Sequence, residues 1–391
     1  MVNACIVIDI TRTLDRALQG RLPTGVDRVS LEYVRHFGAD AQALVRFGGR
    51  WIFMSLRRSR RVFDALLRNP RKVDRARLRW WVGCSYVQDW RQPAAASVLL
   101  NTGHSGLQDA GYATRVQRLG LRPLYFLHDL IPITHPEYCR PGEAAKHEQR
   151  LTTMLSTGCG LLANSAATAE ELRGYAQRMG SAVPPLAVAL LAPARLARPR
   201  AERPWMPPYF VMLGTIEPRK NHLLLLNVWR ALVQRDGERA PRLVIVGQRG
   251  WECEQVLDLL DRCEALRGFV LERQGCDDTE LATLLAHAQA LLFPSFAEGY
   301  GMPLVEALAA GVPVLASDLP AFREVASDVP EYLDPLDGPG WIRAIDDYVH
   351  TNGTRRRAQL ARMHGWRAPT WKAHFDQVHT LMRRCLSTDS L

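Results

Sequence analysis

FPSFAEGYGMPLVEALAAGVPVLASD, running from Phe293 to Asp318, is a strand, a glycine-opened loop, a helix and a second strand in that order. The apolar run at 290–294 closes on a proline. Pro303 stands where a helix can begin, and Gly311 followed by Pro313 marks its end. A second apolar run at 313–316 follows, so the stretch has the form of one turn of a parallel α/β sheet. Its helix, PLVEALAA, carries a single charge, Glu306. So apolar a helix should be buried nearly all round, where a carboxylate needs a hydrogen-bond or ionic partner. A glutamate favoured by the helix dipole near an exposed first turn is the plainer alternative. Glu298 lies eight residues earlier, at the strand's carboxyl end. Gly299 and Gly301 flank Tyr300 and let backbone amides approach a ligand. Carboxylates accept hydrogen bonds from hydroxyls and amides donate them, which suits a polyhydroxylated ligand.

Upstream, YFVMLGTIEPRKNHLLLL at 209–226 repeats the pattern. A strand ends at Gly214, a loop carries Arg219 and Lys220, and Asn221 stands as N-cap of the next helix. Two cations at a helix N-terminus oppose the macrodipole, and a bound anion would resolve the conflict. The plainer alternative is a solvated basic loop. Between these stretches strands are expected at 209–213, 242–246 and near 269–272. Helices are expected at 222–234, near 252–267 and at 279–287, and a last one at 320–326.

The amino-terminal half alternates in the same way. Apolar runs at 4–10, 43–47, 97–100, 124–127 and 160–163 are separated by helix-compatible stretches. VDRVSLEYVRHF at 26–37 places Val26, Val29, Tyr33, Val34 and Phe37 on one helical face. His128 follows the apolar strand PLYFL at the carboxyl end, where open α/β sheets bind ligands. A lone histidine there more often serves as a structural hydrogen-bonder. His104 in NTGHSG is a weaker candidate, and Thr24-Gly25 opens a helix with room for a phosphate or sugar. The segment LAPARLARPRAERPWMPP lacks periodicity and is expected as an interdomain linker over 191–208. The expected organisation is therefore a domain at 1–190, the linker, a domain at 209–370, and a helix at 371–391 packing back on the first domain.

The 391 residues exceed what one core usually serves, and 47% hydrophobic with 23% charged is the composition of a globular chain. No apolar stretch reaches membrane-spanning length, and the start lacks the form of a secretory signal. The eight cysteines form no CxxC pair, so thiols in a reducing cytoplasm are expected, with no metal site. The formal charge of +10 comes mostly from arginine and favours anionic partners. RRSRRVFDALLRNPRKVDRARLRWW, from Arg57 to Trp81, is either a solvated face or a patch for an anionic membrane. No nucleic-acid module accompanies it.

Taken together these residues resemble glycosyltransferase family 4, retaining enzymes of the GT-B fold. The motif E-G-[FY]-G-x-P-x-x-E-A-x-A-x-G-x-P-V is matched from Glu298 to Val314. GTIEPRKN is most similar to bacterial mannosyltransferases of O-antigen, capsule and exopolysaccharide assembly. The resemblance implies an α/β architecture of two doubly wound Rossmann-like domains facing each other across a cleft. It implies Glu306 on the ribose and Glu298 on the donor hexose beside the amides of Gly299, Tyr300, Gly301 and Met302. Arg219 and Lys220 would hold the diphosphate, near Gly214. His128 would stand near the reacting centre and Gly25 would face the phosphates, with residues 273–276 flanking the base. The implied donor is a nucleotide-sugar, GDP-mannose favoured over dTDP- or UDP-sugars, with no cofactor and no metal. The acceptor would be a polyprenyl-linked saccharide at the inner face of the cytoplasmic membrane. A two-lobed ligand-binding or nucleic-acid-binding protein is the non-enzyme alternative; the first would usually carry an export signal, and the second explains the +10 charge but not the paired carboxylates.

Overall fold

Among the described residues, thirteen strands, all but one of them running parallel to their neighbours, divide between two sheets. In the computed structural model, residues 5–68, 74–89, 92–195, 197–205 and 208–387 are described. Outside them fall the start of the first apolar run, residues 69–73 of the basic segment, linker residues 196, 206 and 207, and the tail at 388–391.

The first sheet comprises β1 (Ile6–Asp9), β2 (Ala41–Phe47), β3 (Arg50–Phe53), β4 (Val98–Asn101), β5 (Arg122–Leu127), β6 (Gly160–Ala163) and β7 (Leu186–Val188). Their order is β3-β2-β1-β4-β5-β6-β7. β4 and β6 are buried along their whole length. Helices on both faces account for that, since strands of parallel sheets read as continuous apolar runs. β3 is the antiparallel exception, turning back on β2 with Phe47 opposite Arg50. Gly48 and Gly49, both at positive φ, make that two-residue turn.

The second sheet comprises β8 (Tyr209–Leu213), β9 (Arg242–Val246), β10 (Val270–Arg273), β11 (Leu291–Phe293), β12 (Val314–Ser317) and β13 (Glu331–Leu333). Its order, β10-β9-β8-β11-β12-β13, reverses direction between β8 and β11. That reversal is the switch point where doubly wound sheets open a crevice at the strands' carboxyl ends. Phe210, Met212, Trp229, Leu243, Ile245, Leu292 and Trp341 are buried together beneath it. Both indoles find acceptors, Trp229 Nε1 donating to Pro241 O and Trp341 Nε1 to Asp334 O, each at 2.9 Å.

The elements expected between 209 and 326 fall where the apolar spacing predicts, with one break, while β13 and the helices Gly338–Val349 and Thr354–Met363 were not foreseen. The helix expected near 252–267 is Glu254–Arg262 followed by a 3-10 turn at Glu264–Leu266. Glu252 has φ 47°, left-handed backbone that cannot start a right-handed helix.

The chain folds as two units whose boundaries differ from the expected ones. One takes the described residues of Met1–Leu130, Ala144–Leu191 and Lys372–Leu391; the other takes Ile131–Glu143 and Ala192–Trp371. The stretch 131–143, expected in the first domain, thus belongs to the second. Much of the expected linker belongs there too: Arg200 N–H donates to Thr283 Oγ1 and Arg200 O faces His287 Nε2, both at 3.0 Å. The helix Trp371–Ser387 returns to the first unit. His374 is buried there, with Nε2 3.0 Å from Tyr33 Oη and Nδ1 3.2 Å from the carbonyls of Ala189 and Leu190. Gly160 leaves room for it, since a Cβ there would come within 3.1 Å of Cys385 Sγ.

Candidate active site

The loops after β8 and β11 lie side by side because their strands do. Phe296 N–H donates to Arg219 O at 2.8 Å, lacing one loop to the other. Residues Pro218–Lys220 form a 3-10 turn, and Asn221 takes left-handed backbone at φ 58° before the helix His222–Asp236. Asparagine tolerates that conformation. Its side chain does not cap the helix as expected. Nδ2 instead donates to Pro294 O at 3.2 Å and Pro335 O at 2.8 Å, because the αL backbone turns the amide toward the neighbouring loops.

Arg219, Lys220 and Glu298 meet in this crevice. Arg219 Nη1 lies 2.8 Å from Glu298 Oε2 and donates to Ala297 O at 3.0 Å. Lys220 Nζ donates to Glu298 Oε1, which also accepts from Ser295 Oγ at 2.8 Å. Arg219 Nε pairs with Glu217 at 2.6 Å. Glu217 and Lys220 are buried, the Glu298 side chain is 9% exposed, and Lys220 Nζ also sits 4.7 Å from the centre of the Phe293 ring. Two carboxylates thus balance two cations in a water-poor crevice, where ion pairing is strengthened. Burial alone would raise the Glu298 pKa, but Arg219 and Lys220 outweigh it and hold the carboxyl at about 2. Burial pulls the Lys220 pKa below its ordinary value, and Glu298 opposes that fall. The anion inferred to sit with these cations is, in the chain itself, Glu298.

Glu306 is 5% exposed on the helix Met302–Ala309, not on an exposed first turn. Tyr300 is buried beside it in sequence, and Gly301 opens the helix at φ 104°. Only glycine fits there, since a Cβ would stand 2.6 Å from the Phe322 ring. Gly214, at φ 146°, brings the turn after β8 against Lys220, whose Cε would be 3.4 Å from a Cβ on the glycine. Arg273 ends β10 and lies over the Trp205 ring at 5.4 Å. Sequence reading missed Glu217, Ser295 and His222. The EP spacing before Arg219 was a usable signal for Glu217. His222 is buried with neither ring nitrogen hydrogen-bonded, and burial, then the Lys220 charge, pushes its pKa down to about 3.

The other candidates belong to the first unit. His128 ends β5 with Nε2 2.7 Å from Thr102 O. A carbonyl only accepts, so the proton is on Nε2 and Nδ1 keeps its lone pair. His104 Nε2 meets Phe126 O at 2.7 Å and His147 Nε2 meets Asp129 O at 3.1 Å in the same manner. The His104 and His128 rings are 5.1 Å apart. Burial is the main cause lowering the pKa of both, so they are neutral near pH 7. Gly25 opens the helix Gly25–Phe37 beneath a capping box in which Thr24 N–H and Oγ1 donate to Asp27 at 2.8 and 2.7 Å. Buried Asp27 also takes Arg12 Nε at 3.0 Å. Among the described residues no three His, Cys, Asp or Glu are placed to hold a metal ion, and no helix is long and apolar enough to cross a membrane.

Comparison with known proteins places the chain among glycosyl transferases in sequence and fold. Residues 195–357 match the family described as Glycosyl transferases group 1. The serotype-specific mannosyltransferase WbdA of Escherichia coli is 27% identical over 246 residues, covering 58% of this chain and 29% of WbdA. The O-antigen chain mannosyltransferase B of Escherichia coli is 36% identical over 129 residues, 33% of each chain. The chain thus spans about a third or less of these two relatives in the matched regions. Among solved structures, the α,α-trehalose-phosphate synthase (UDP-forming) of Burkholderia vietnamiensis superposes with a TM-score of 0.63 at 10% identity, over 99% of both chains. The fold is GT-B, and residues 195–357 match the glycosyl transferases group 1 family and resemble bacterial mannosyltransferases.

Proposed function

We propose that this chain transfers mannose from GDP-mannose, with retention and without a metal ion, onto a polyprenyl-linked saccharide in bacterial surface-polysaccharide assembly. The observation that carries this reading is Glu298, at the β8–β11 switch point and shared between Arg219 and Lys220. Diphosphate oxygens take the place of Glu298 on the two cations when the donor enters, and the released carboxylate accepts from hexose hydroxyls. Glu306 serves the ribose hydroxyls, and the amides of Tyr300, Gly301 and Met302 line the sugar. Breaking the bond from the anomeric carbon to the diphosphate builds negative charge on the leaving oxygen, which Arg219 and Lys220 stabilise without reorganising. Glu298 positions the sugar, and the acceptor hydroxyl attacks from the face the diphosphate leaves, passing its proton to the departing diphosphate oxygen as the new glycosidic bond forms. His128, neutral with its Nδ1 lone pair available, accepts a hydrogen bond from a sugar hydroxyl. The mannosyltransferase names of both sequence relatives support the choice of mannose.

The first unit also suits an anionic membrane surface. On the helix Leu56–Leu67, Arg57, Arg60 and Arg61 are exposed. Trp80 on the helix Arg75–Gln88 is 64% exposed, and Phe47 at the β2–β3 turn is 70% exposed. Arginines beside exposed aromatic rings fit lipid phosphates and the interface.

A donor panel of GDP-mannose, UDP-glucose, UDP-N-acetylglucosamine and dTDP-rhamnose, read as transfer or slow hydrolysis, tests the reading. GDP-mannose should be consumed in preference; turnover of another donor instead would overturn the choice of sugar. Lys220→Ala should lower kcat by about 100- to 1000-fold. Near-normal kinetics in that variant would remove Lys220 from the leaving-group role.

A further inference from the structure

The stretch 131–143 leaves the first unit two residues after Asp129 and lies on the second unit, against the loop that bears Glu298. Pro132 and Pro136 stiffen it, through a short helix at Ile131–Thr134 and a 3-10 turn at Pro136–Tyr138. Tyr138 is where it touches the site. The Tyr138 ring stacks on Phe296 with centroids 5.5 Å apart and planes 8° from parallel. Tyr138 O accepts from Trp251 Nε1 at 3.3 Å, and the Arg140 guanidinium lies 5.0 Å over the Trp251 ring.

Phe296 is half-buried, two residues before Glu298. Its backbone is already tied to Arg219 O, and the next carbonyl, Ala297 O, accepts from Arg219 Nη1. The ring is a further handle on the loop, and Tyr138 stacks on it from a segment far away in the chain. Arg219 and Lys220 stand on their own 3-10 turn, and their ties to the loop run through its backbone and Glu298, not through the Phe296 ring. We infer that Tyr138 is a positioning residue, which through Phe296 sets where Glu298 meets the donor hexose and leaves the diphosphate grip to Arg219 and Lys220. This rests on the reading of the site given above, and deepens it: the hexose half of the donor is recognised by a loop held from the other half of the chain.

The experiment compares GDP with GDP-mannose on the full chain, using calorimetric titration, steady-state kinetics and thermal melting. Tyr138→Ala should leave the Kd for GDP within about threefold of the parent, since the diphosphate grip is untouched. It should lower kcat with GDP-mannose by about 10- to 100-fold, the scale of a small misplacement at a reacting centre. Tyr138→Phe should restore kcat, because the stack uses the ring and not the hydroxyl. Trp251→Phe, which removes only the donor to Tyr138 O, should give the same split more weakly if Tyr138→Ala fails to fold. Equal loss of GDP and GDP-mannose binding, a fall in melting temperature with normal turnover, or failure of Tyr138→Phe would each overturn the inference. A parent protein that binds neither GDP nor GDP-mannose would instead overturn the reading of the site, and this inference with it.

Discussion

Replacing Glu298 by glutamine keeps its shape and removes its charge, and so asks directly what that carboxylate does for the cations around it. Arg219 and Lys220 hold the carboxyl at about 2, against an ordinary glutamate's 4.5. At about 1.4 kcal/mol per tenfold step, that gap is roughly 3 kcal/mol of folded-state stabilisation at neutral pH. The same magnitude is typical of breaking a buried ion pair from one side. A domain of this size loses about 2–4 °C per kcal/mol, so Glu298→Gln should lower the melting transition of the second unit by about 6–12 °C at pH 7.5. GDP should then compensate. In the parent the diphosphate displaces a carboxylate hydrogen-bonded to lysine and arginine; in the variant it displaces only a neutral amide. GDP should therefore bind Glu298→Gln about tenfold or more tightly, given about 1.5–3 kcal/mol for a hydrogen bond to a charged group. At a hundred times its Kd it would return about 2.7 kcal/mol. Transfer from GDP-mannose should nevertheless collapse, since the hexose contact is gone. The pH dependence has a definite sign. A depressed carboxyl contributes fully above its unfolded value and loses that contribution as pH falls through its folded one. The melting gap between parent and variant should accordingly narrow below pH 4.5 and close near pH 2. Calorimetric scans with and without GDP measure all of this. A variant that melts within 1 °C of the parent, or that GDP protects less well, would refute the charge balance described here.

Three further outcomes are expected. Glu306→Gln should weaken GDP binding about tenfold, seen by titration, through loss of charged contacts to ribose hydroxyls; unchanged affinity would detach Glu306 from the donor. Gly301→Ala should lower both kcat and the melting temperature, because its Cβ would stand 2.6 Å from the Phe322 ring at a φ of 104°; kinetics and melting like the parent's would contradict that packing. The double change Arg57→Gln/Arg61→Gln should weaken sedimentation with phosphatidylglycerol-rich vesicles about 30-fold, at about 1 kcal/mol per basic residue, and equal binding would discard the membrane face.

Much of the second unit is legible residue by residue because its signals are local. Strands at 209–213 and 242–246 and the helix at 320–326 are bounded by glycine and proline whose backbone limits act where they stand. Glu298, Arg219 and Lys220 could be named as a site from residue types at strand ends, since a parallel sheet delivers all its carboxyl-end loops to one edge. Glu306 could be named as buried from the apolar run around it. The β2–β3 hairpin was less visible, because a strand flanked by Trp51 and Phe53 in an arginine-rich stretch looks like neighbouring helix.

Which side chains satisfy one another is a different matter. That Glu298 is the counter-ion of Lys220 follows from β8 and β11 being neighbours across a switch point, although 78 residues separate the two side chains. That 131–143 belongs with the second unit, and the helix Trp371–Ser387 with the first, follows from contacts such as Tyr138 on Phe296 and His374 on Tyr33. Chain order therefore announced the strands, the turns and the kinds of chemical group on offer, since backbone preference and burial tendency reside in each residue. Pairing waited on the fold, because an ion pair or a ring stack depends on distance in space, and that distance is set by how all the strands order themselves at once.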